Sequence, residues 1–199
     1  KMQHYGQILW DEFGKHAQQN RNSIDNKTGF QLGVKWFDAL TIPKLYAQAE
    51  FNRVRPYTYG SAKSTQNISH ARQSITHPKD ANFHEFVGIL NYRLMDFELE
   101  LQGNILQYGV DSTNKAANNI FVSQELTSNS TSEATFLQGA KNQLVYGHAQ
   151  ISYLLNPSTD MRIYAAIGYR KQWNVETNKK DLFVFFGLRT FLTNNLFDF

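Results

Sequence analysis

In His148-Ala-Gln-Ile-Ser152 a histidine and a serine stand four residues apart, the nearest this sequence comes to a nucleophile beside its base. Acyl transfer by such a pair needs the two groups within hydrogen-bond reach. The flanking residues alternate with a period of two, so the pair belongs on one face of a strand, at a separation of roughly 13 Å. No catalytic residue is assigned. The six histidines, at 4, 16, 70, 77, 84 and 148, contain no H-E-x-x-H spacing. His70 and His77 lie in one loop, with His84 just beyond it, and the three show no recognised ligand pattern, so no metal site is expected. No glycine-rich phosphate loop occurs, and nothing points to a cofactor. The chain has no cysteine, which excludes a disulfide scaffold.

Two charged sets carry more information. Lys35, Glu50, Arg93, Glu98, Glu100, Arg162 and Arg170, with Arg189, all fall on the polar side of alternating segments. Inside a narrow barrel such charges must pair across strands, because an unpaired charge there is costly. Arg93 lies across a tight corner from Glu98 and Glu100. A polar ion path through a wider barrel is the alternative. The second set begins beside Pro56 and comprises Arg55, Tyr57, Tyr59, Lys63, His70, Arg72, His77 and Lys79, with Asp80 as the local acid. A cationic loop beside aromatics suits an anionic surface glycan or a lipopolysaccharide phosphate. The plainer alternative is a solvated loop whose charges bind nothing specific.

The elements that must position these residues are strands. In Phe97-Glu-Leu-Glu-Leu-Gln-Gly-Asn-Ile105, the residues Phe97, Leu99, Leu101 and Ile105 oppose Glu98, Glu100, Gln102 and Asn104. The same alternation predicts eight strands, at about 4–13, 28–38, 45–59, 83–94, 96–110, 143–155, 161–174 and 181–193. Short links at 40–44, 95–96 and 156–160 alternate with long polar loops at 14–27, 60–82 and 111–142; Asn174–Lys180 is a shorter fourth loop. Short turns at one end and long loops at the other describe an antiparallel transmembrane β-barrel. Pro56 should end its strand, placing Tyr57 and Tyr59 in an interfacial aromatic girdle.

Composition is compatible with this expectation. Aromatics reach 14%, with 15 Phe and 10 Tyr, while hydrophobics are 41% and mean hydropathy is −0.49. No run approaches the roughly 18–20 apolar residues of a spanning helix. A net charge of +3 is too small and dispersed to argue for nucleic acid. The apolar stretch from Asp181 to Phe199 would be a liability in water but suits lipid. A chain that opens on Lys1 without a signal peptide reads as a mature or excised segment. A soluble barrel or sandwich remains the competing fold, but it would hide its apolar face.

Residues 49–60, AEFNRVRPYTYG, followed by ITHPKDANFHEFVGILNYR at 75–93, resemble the RemB family of gliding-motility outer-membrane proteins, which are distantly similar to the Wzi-type capsule-assembly barrels. The matching positions are Asn52, Val54, Arg55, Pro56, Tyr57, Thr58 and Tyr59, then His77, Pro78, Ala81, Asn82, Phe83 and Glu85. The family pattern has Leu-Gly where this chain has Lys79-Asp80. The resemblance implies a C-terminal portion of a larger outer-membrane barrel in a Gram-negative envelope, with no known reaction. A terminal strand ending on Phe199 is similar to the signal read by outer-membrane assembly machinery.

The expectation is thus a non-enzymatic outer-membrane β-barrel domain over 1–199, presenting long loops. Its partners would be membrane lipid and lipopolysaccharide, a surface glycan, or other outer-membrane and secretion-system proteins. A pore or transport barrel is the second reading, and a membrane hydrolase the third.

Overall fold

Period-two alternation becomes a sheet in the computed structural model, which describes residues 1–11, 22–61, 63, 68–71, 73–110, 119–121 and 133–191. Ten strands are present among them: β1 (Met2–Asp11), β2 (Lys27–Phe37), β3 (Leu45–Val54), β4 (Ser69–His70), β5 (Gln73–Ser74), β6 (Phe83–Leu94), β7 (Phe97–Val110), β8 (Ala140–Asn156), β9 (Met161–Trp173) and β10 (Asn178–Arg189). Eight form a single antiparallel meander in the order β1-β2-β3-β6-β7-β8-β9-β10, while β4 and β5 make a separate small hairpin. The sheet is not closed: β1 pairs with β2 and β10 with β9, leaving an edge on each side among the described residues.

The turns follow local side-chain chemistry. Met95 adopts φ 53 to close the two-residue corner between β6 and β7. Asn156 accepts a hydrogen bond from the Ser158 amide at 2.9 Å, opening the Pro157–Thr159 turn before β9. Asn174 Oδ1 accepts from the amides of Glu176 and Thr177, tightening the last link. That connection spans only 174–177, shorter than expected, because the capped turn lets β10 begin at Asn178. Strand β3 stops at Val54 rather than reaching 59, since residues 56–59 turn away from the sheet. The hairpin β4–β5 lies inside what the sequence presents as unstructured loop.

Register fixes which residues share a face. Phe97, Leu99, Leu101 and Ile105 of β7 stand opposite Leu94, Tyr92, Leu90 and Phe86 of β6 on the apolar face. Glu98, Glu100, Gln102 and Asn104 stand opposite Arg93, Asn91, Ile89 and Val87 on the other. The apolar face is the exposed one: Phe86, Leu101, Ile105, Ile151, Ile163 and Ile167 are all uncovered. The polar face carries bonds that skip a strand, such as Tyr5 to Glu50, Gln172 to Tyr108 and Arg162 to Glu98, as inward curvature requires. Strand β10 departs from the alternation, because Phe183 and Phe185 put aromatic rings on the polar side, 6.3 Å apart.

The buried core sits at the long-loop end of the concave face. Val54, Phe83, Leu106, Tyr108 and Leu144 point inward there and are covered by Ala81 and its neighbours. A second cluster joins Ile24, Tyr57 and Ala134 above it.

Candidate functional site

The segment after Pro56 is built into this core. Tyr57 is 0% exposed, with φ 66, and its hydroxyl accepts from Gln138 Nε2 at 3.0 Å. Thr58 donates its hydroxyl to the Arg55 carbonyl at 2.7 Å, and Lys27 Nζ donates to the Gly60 carbonyl at 2.9 Å. The expectation of Tyr57 and Tyr59 in an interfacial girdle is therefore corrected. Once Pro56 ends the ladder, the chain folds inward, and the burial of Tyr59 pushes its phenol above the usual range. The aromatics that frame the exposed face are instead pairs such as Phe30–Phe51, 5.8 Å apart, and Phe97–Tyr153, 4.9 Å apart.

The expected cationic loop is dispersed. Lys63 and His70 are exposed, and Arg72 lies outside the described residues. Arg55 is half-buried, with burial first and Arg53 second lowering its guanidinium pKa. Lys79 swings toward β7, where its ammonium lies 4.6 Å from the Tyr108 ring centroid. Burial, and then the nearby Arg170, lowers the Lys79 pKa, while burial pushes Asp80 up.

His77 takes a different direction. Its Nε2 lies 3.1 Å from Glu85 Oε2, and its ring stacks on Phe83 with centroids 4.1 Å apart. The Lys79 amide donates to His77 Nδ1 at 3.1 Å. Nδ1 is thus an acceptor, so the proton sits on Nε2 and is donated to Glu85. Asn104 Nδ2 donates to the other Glu85 oxygen at 2.9 Å. One row of planar polar groups crosses four strands in register: Gln7, Gln31, Asn52 and Glu85. Asn52 Nδ2 also donates to Glu50 at 2.8 Å, and the Tyr5 hydroxyl donates to Glu50 at 2.5 Å. Gly33 makes that last bond feasible, because a Cβ there would meet the Tyr5 ring at 2.2 Å. The row Gln7, Gln31, Asn52 and Glu85, with Glu50 and His77, joins Leu9, Val54, Phe83 and Tyr59 in bounding a cavity of about 380 Å³.

The interior charges divide. Arg93 and Arg162 both pair with Glu98, at 3.1 and 2.8 Å. Asp160, which sequence reasoning missed, completes the group at 2.8 Å from Arg162 Nε. Its sequence signal was its place in the tight turn two residues before Arg162. Glu50 is held by Tyr5 and Asn52, whereas Lys35 lies over the Tyr5 ring at 5.3 Å. Arg170 donates to Gln172 at 3.0 Å, and Glu100 stands in register between Asn91 and Gln150. His148 and Ser152 share the concave face, in register with Gln102 and Glu98 of β7. Among the described residues, no group of three His, Cys, Asp or Glu side chains could hold a metal ion. Compared with protein-family models, with curated proteins and with solved structures, the chain has no match in any of the three.

Proposed function

We propose that this chain is a membrane-spanning part of an outer-membrane β-barrel, without catalytic chemistry, whose loop end is a fixed platform for a surface polysaccharide or another envelope protein. The observation that carries the reading is the inverted polarity of the sheet. Leu101, Ile105, Ile151 and Ile167 are exposed, while Glu98, Asn104 and Arg162 face inward. A sheet in water covers its apolar face; one in lipid turns that face outward. The apolar side of β7 from Phe97 to Ile105 extends ~27 Å along the strand. At the usual barrel tilt it would fill most of a band ~25 Å tall. Resemblance to gliding-motility and capsule-assembly barrels supports a surface role in a Gram-negative envelope. A transport barrel is the second reading, favoured by the polar inward residues Gln48, Gln102, His148 and Gln150 at mid-sheet, and single-channel conductance would mark it.

Trp10, Trp36 and Trp173 all stand on the apolar face and serve as probes. Reconstituted in vesicles of brominated phosphatidylcholine, the chain should lose most of its tryptophan emission relative to unbrominated vesicles. Emission untouched by bromine but quenched by aqueous acrylamide would overturn the membrane reading.

A further inference from the structure

The cavity beside His77 has a composition that the charge pattern of the loop does not foretell. Its polar side is the cross-strand row Gln7, Gln31, Asn52 and Glu85, with Glu50 one step below. Its apolar side is the adjacent row, in which Leu9, Val54 and Phe83 lie across the sheet in register. Tyr59 and Pro78 close the loop side. The polar side is also fixed in place: Glu85 is 7% exposed and takes hydrogen bonds on both oxygens, from His77 and Asn104. Fixed, planar amides and carboxylates offer paired donors and acceptors, and pre-organisation lowers the cost of binding.

A ligand for this cavity must have an apolar face and an edge rich in groups that both donate and accept. It must also be uncharged or positive, because Glu50 and Glu85 contribute two carboxylates. Lys79 is turned away to Tyr108, and the His77 proton is committed to Glu85. A pyranose ring meets these conditions, with C–H groups on its face and hydroxyls around its rim. A cavity of about 380 Å³ is in the small-molecule range and has room for one or two such rings.

We propose that this cleft binds an uncharged saccharide, with Asn52 and Glu50 contacting ring hydroxyls and Glu85 shaping the wall through His77. The proposal deepens the polysaccharide arm of the function above, and depends on the membrane reading only for which side of the envelope the cleft faces. It reverses the expectation of an anionic glycan held by cations.

The test uses the full chain folded in a sugar-free zwitterionic detergent. Saturation-transfer NMR and calorimetry are run with neutral gluco-, manno- and galacto-oligosaccharides, with an anionic uronate oligosaccharide, and with a simple alkylammonium salt. At least one neutral oligosaccharide should bind with Kd of about 1 mM or tighter, and the uronate should bind more weakly. Asn52→Ala and Glu50→Gln should each weaken binding about tenfold while far-ultraviolet dichroism and the thermal transition stay unchanged. The inference is overturned by three outcomes: no neutral saccharide detected at ten times that concentration, affinity in both variants unchanged from the unaltered chain, or tighter binding of the uronate or ammonium probe. Tryptophan quenching by brominated lipid is read on the same preparation. Saccharide binding without quenching would leave the cleft standing and remove the membrane; quenching without binding would do the reverse.

Discussion

Asn82 is buried at φ 61, a left-handed conformation that asparagine tolerates better than most residues. Its side chain donates to the carbonyls of Gly109 and Gln138, at 3.2 and 3.1 Å, and accepts from the Leu137 amide at 2.7 Å. Its backbone bonds both Gly109, at 3.0 Å, and Arg55, at 3.4 Å. One residue thereby ties together the turn after β3, the end of β7 and the approach to β8. Gly109 is the matching half of the device, since a Cβ there would meet the Gln138 carbonyl at 2.1 Å and Asn82 Nδ2 at 2.4 Å. Gly109→Ala should therefore destabilise the folded chain by about 2 kcal/mol through overpacking. A urea titration followed by tryptophan emission would show this as a lowered midpoint, and an unchanged midpoint would mean that the 134–139 segment moves aside freely. Sequence reading placed Asn82 only within a motif. Its role was hidden because its partners lie 27 and 56 residues away.

At the scale of strands, alternation was legible and contact was not. A period of two assigned the interior charges to the polar face, and the register places all eight of them there. What alternation could not supply is the reach of each side chain across strands, so Glu50 met Tyr5 rather than a cation. It also could not show that residues 55–60 fold inward, because Pro56 announces where a ladder ends and not where the chain goes next. The pairing around Arg162 shows how β7 and β9 are joined across β8. The Arg162 side chain is 4% exposed between Glu98 and Asp160. Arg162→Met would leave those carboxylates without their shared cation and should cost about 1–3 kcal/mol. Glu98 retains Arg93, which limits the loss. Adding Glu98→Gln to that variant should recover part of the cost, because the two residues act as one unit. Purely additive denaturation midpoints would show that the ion pair does not join the strands energetically.

For the molecule as a whole, the two sheet edges decide what the fold can be. β1 and β10 are both long, each pairs on one side among the described residues, and neither contains a proline to blunt its edge. In water such edges invite association; in hydrocarbon, where no water can satisfy their amides and carbonyls, each unpaired group costs several kcal/mol. A membrane location therefore requires both edges to be paired, either with each other or with further strands. The first option would wrap the concave face into a narrow, filled barrel. It would have to place Phe183 and Phe185, which point inward from β10, among polar neighbours such as Gln48 and Gln102. Pairing with further strands keeps the concave face wide and lets those rings pack against an added apolar surface. We therefore expect amide exchange of the chain folded alone in detergent to be uneven. β3, β6, β7 and β8 should hold their amides long after β1 and β10 have exchanged, and the sample should show no compact band that shifts on boiling. Equal protection of β1 and β10, together with such a band, would mean that the eight strands close on each other. The cleft would then be the mouth of a small barrel, and a pore reading would lose its support.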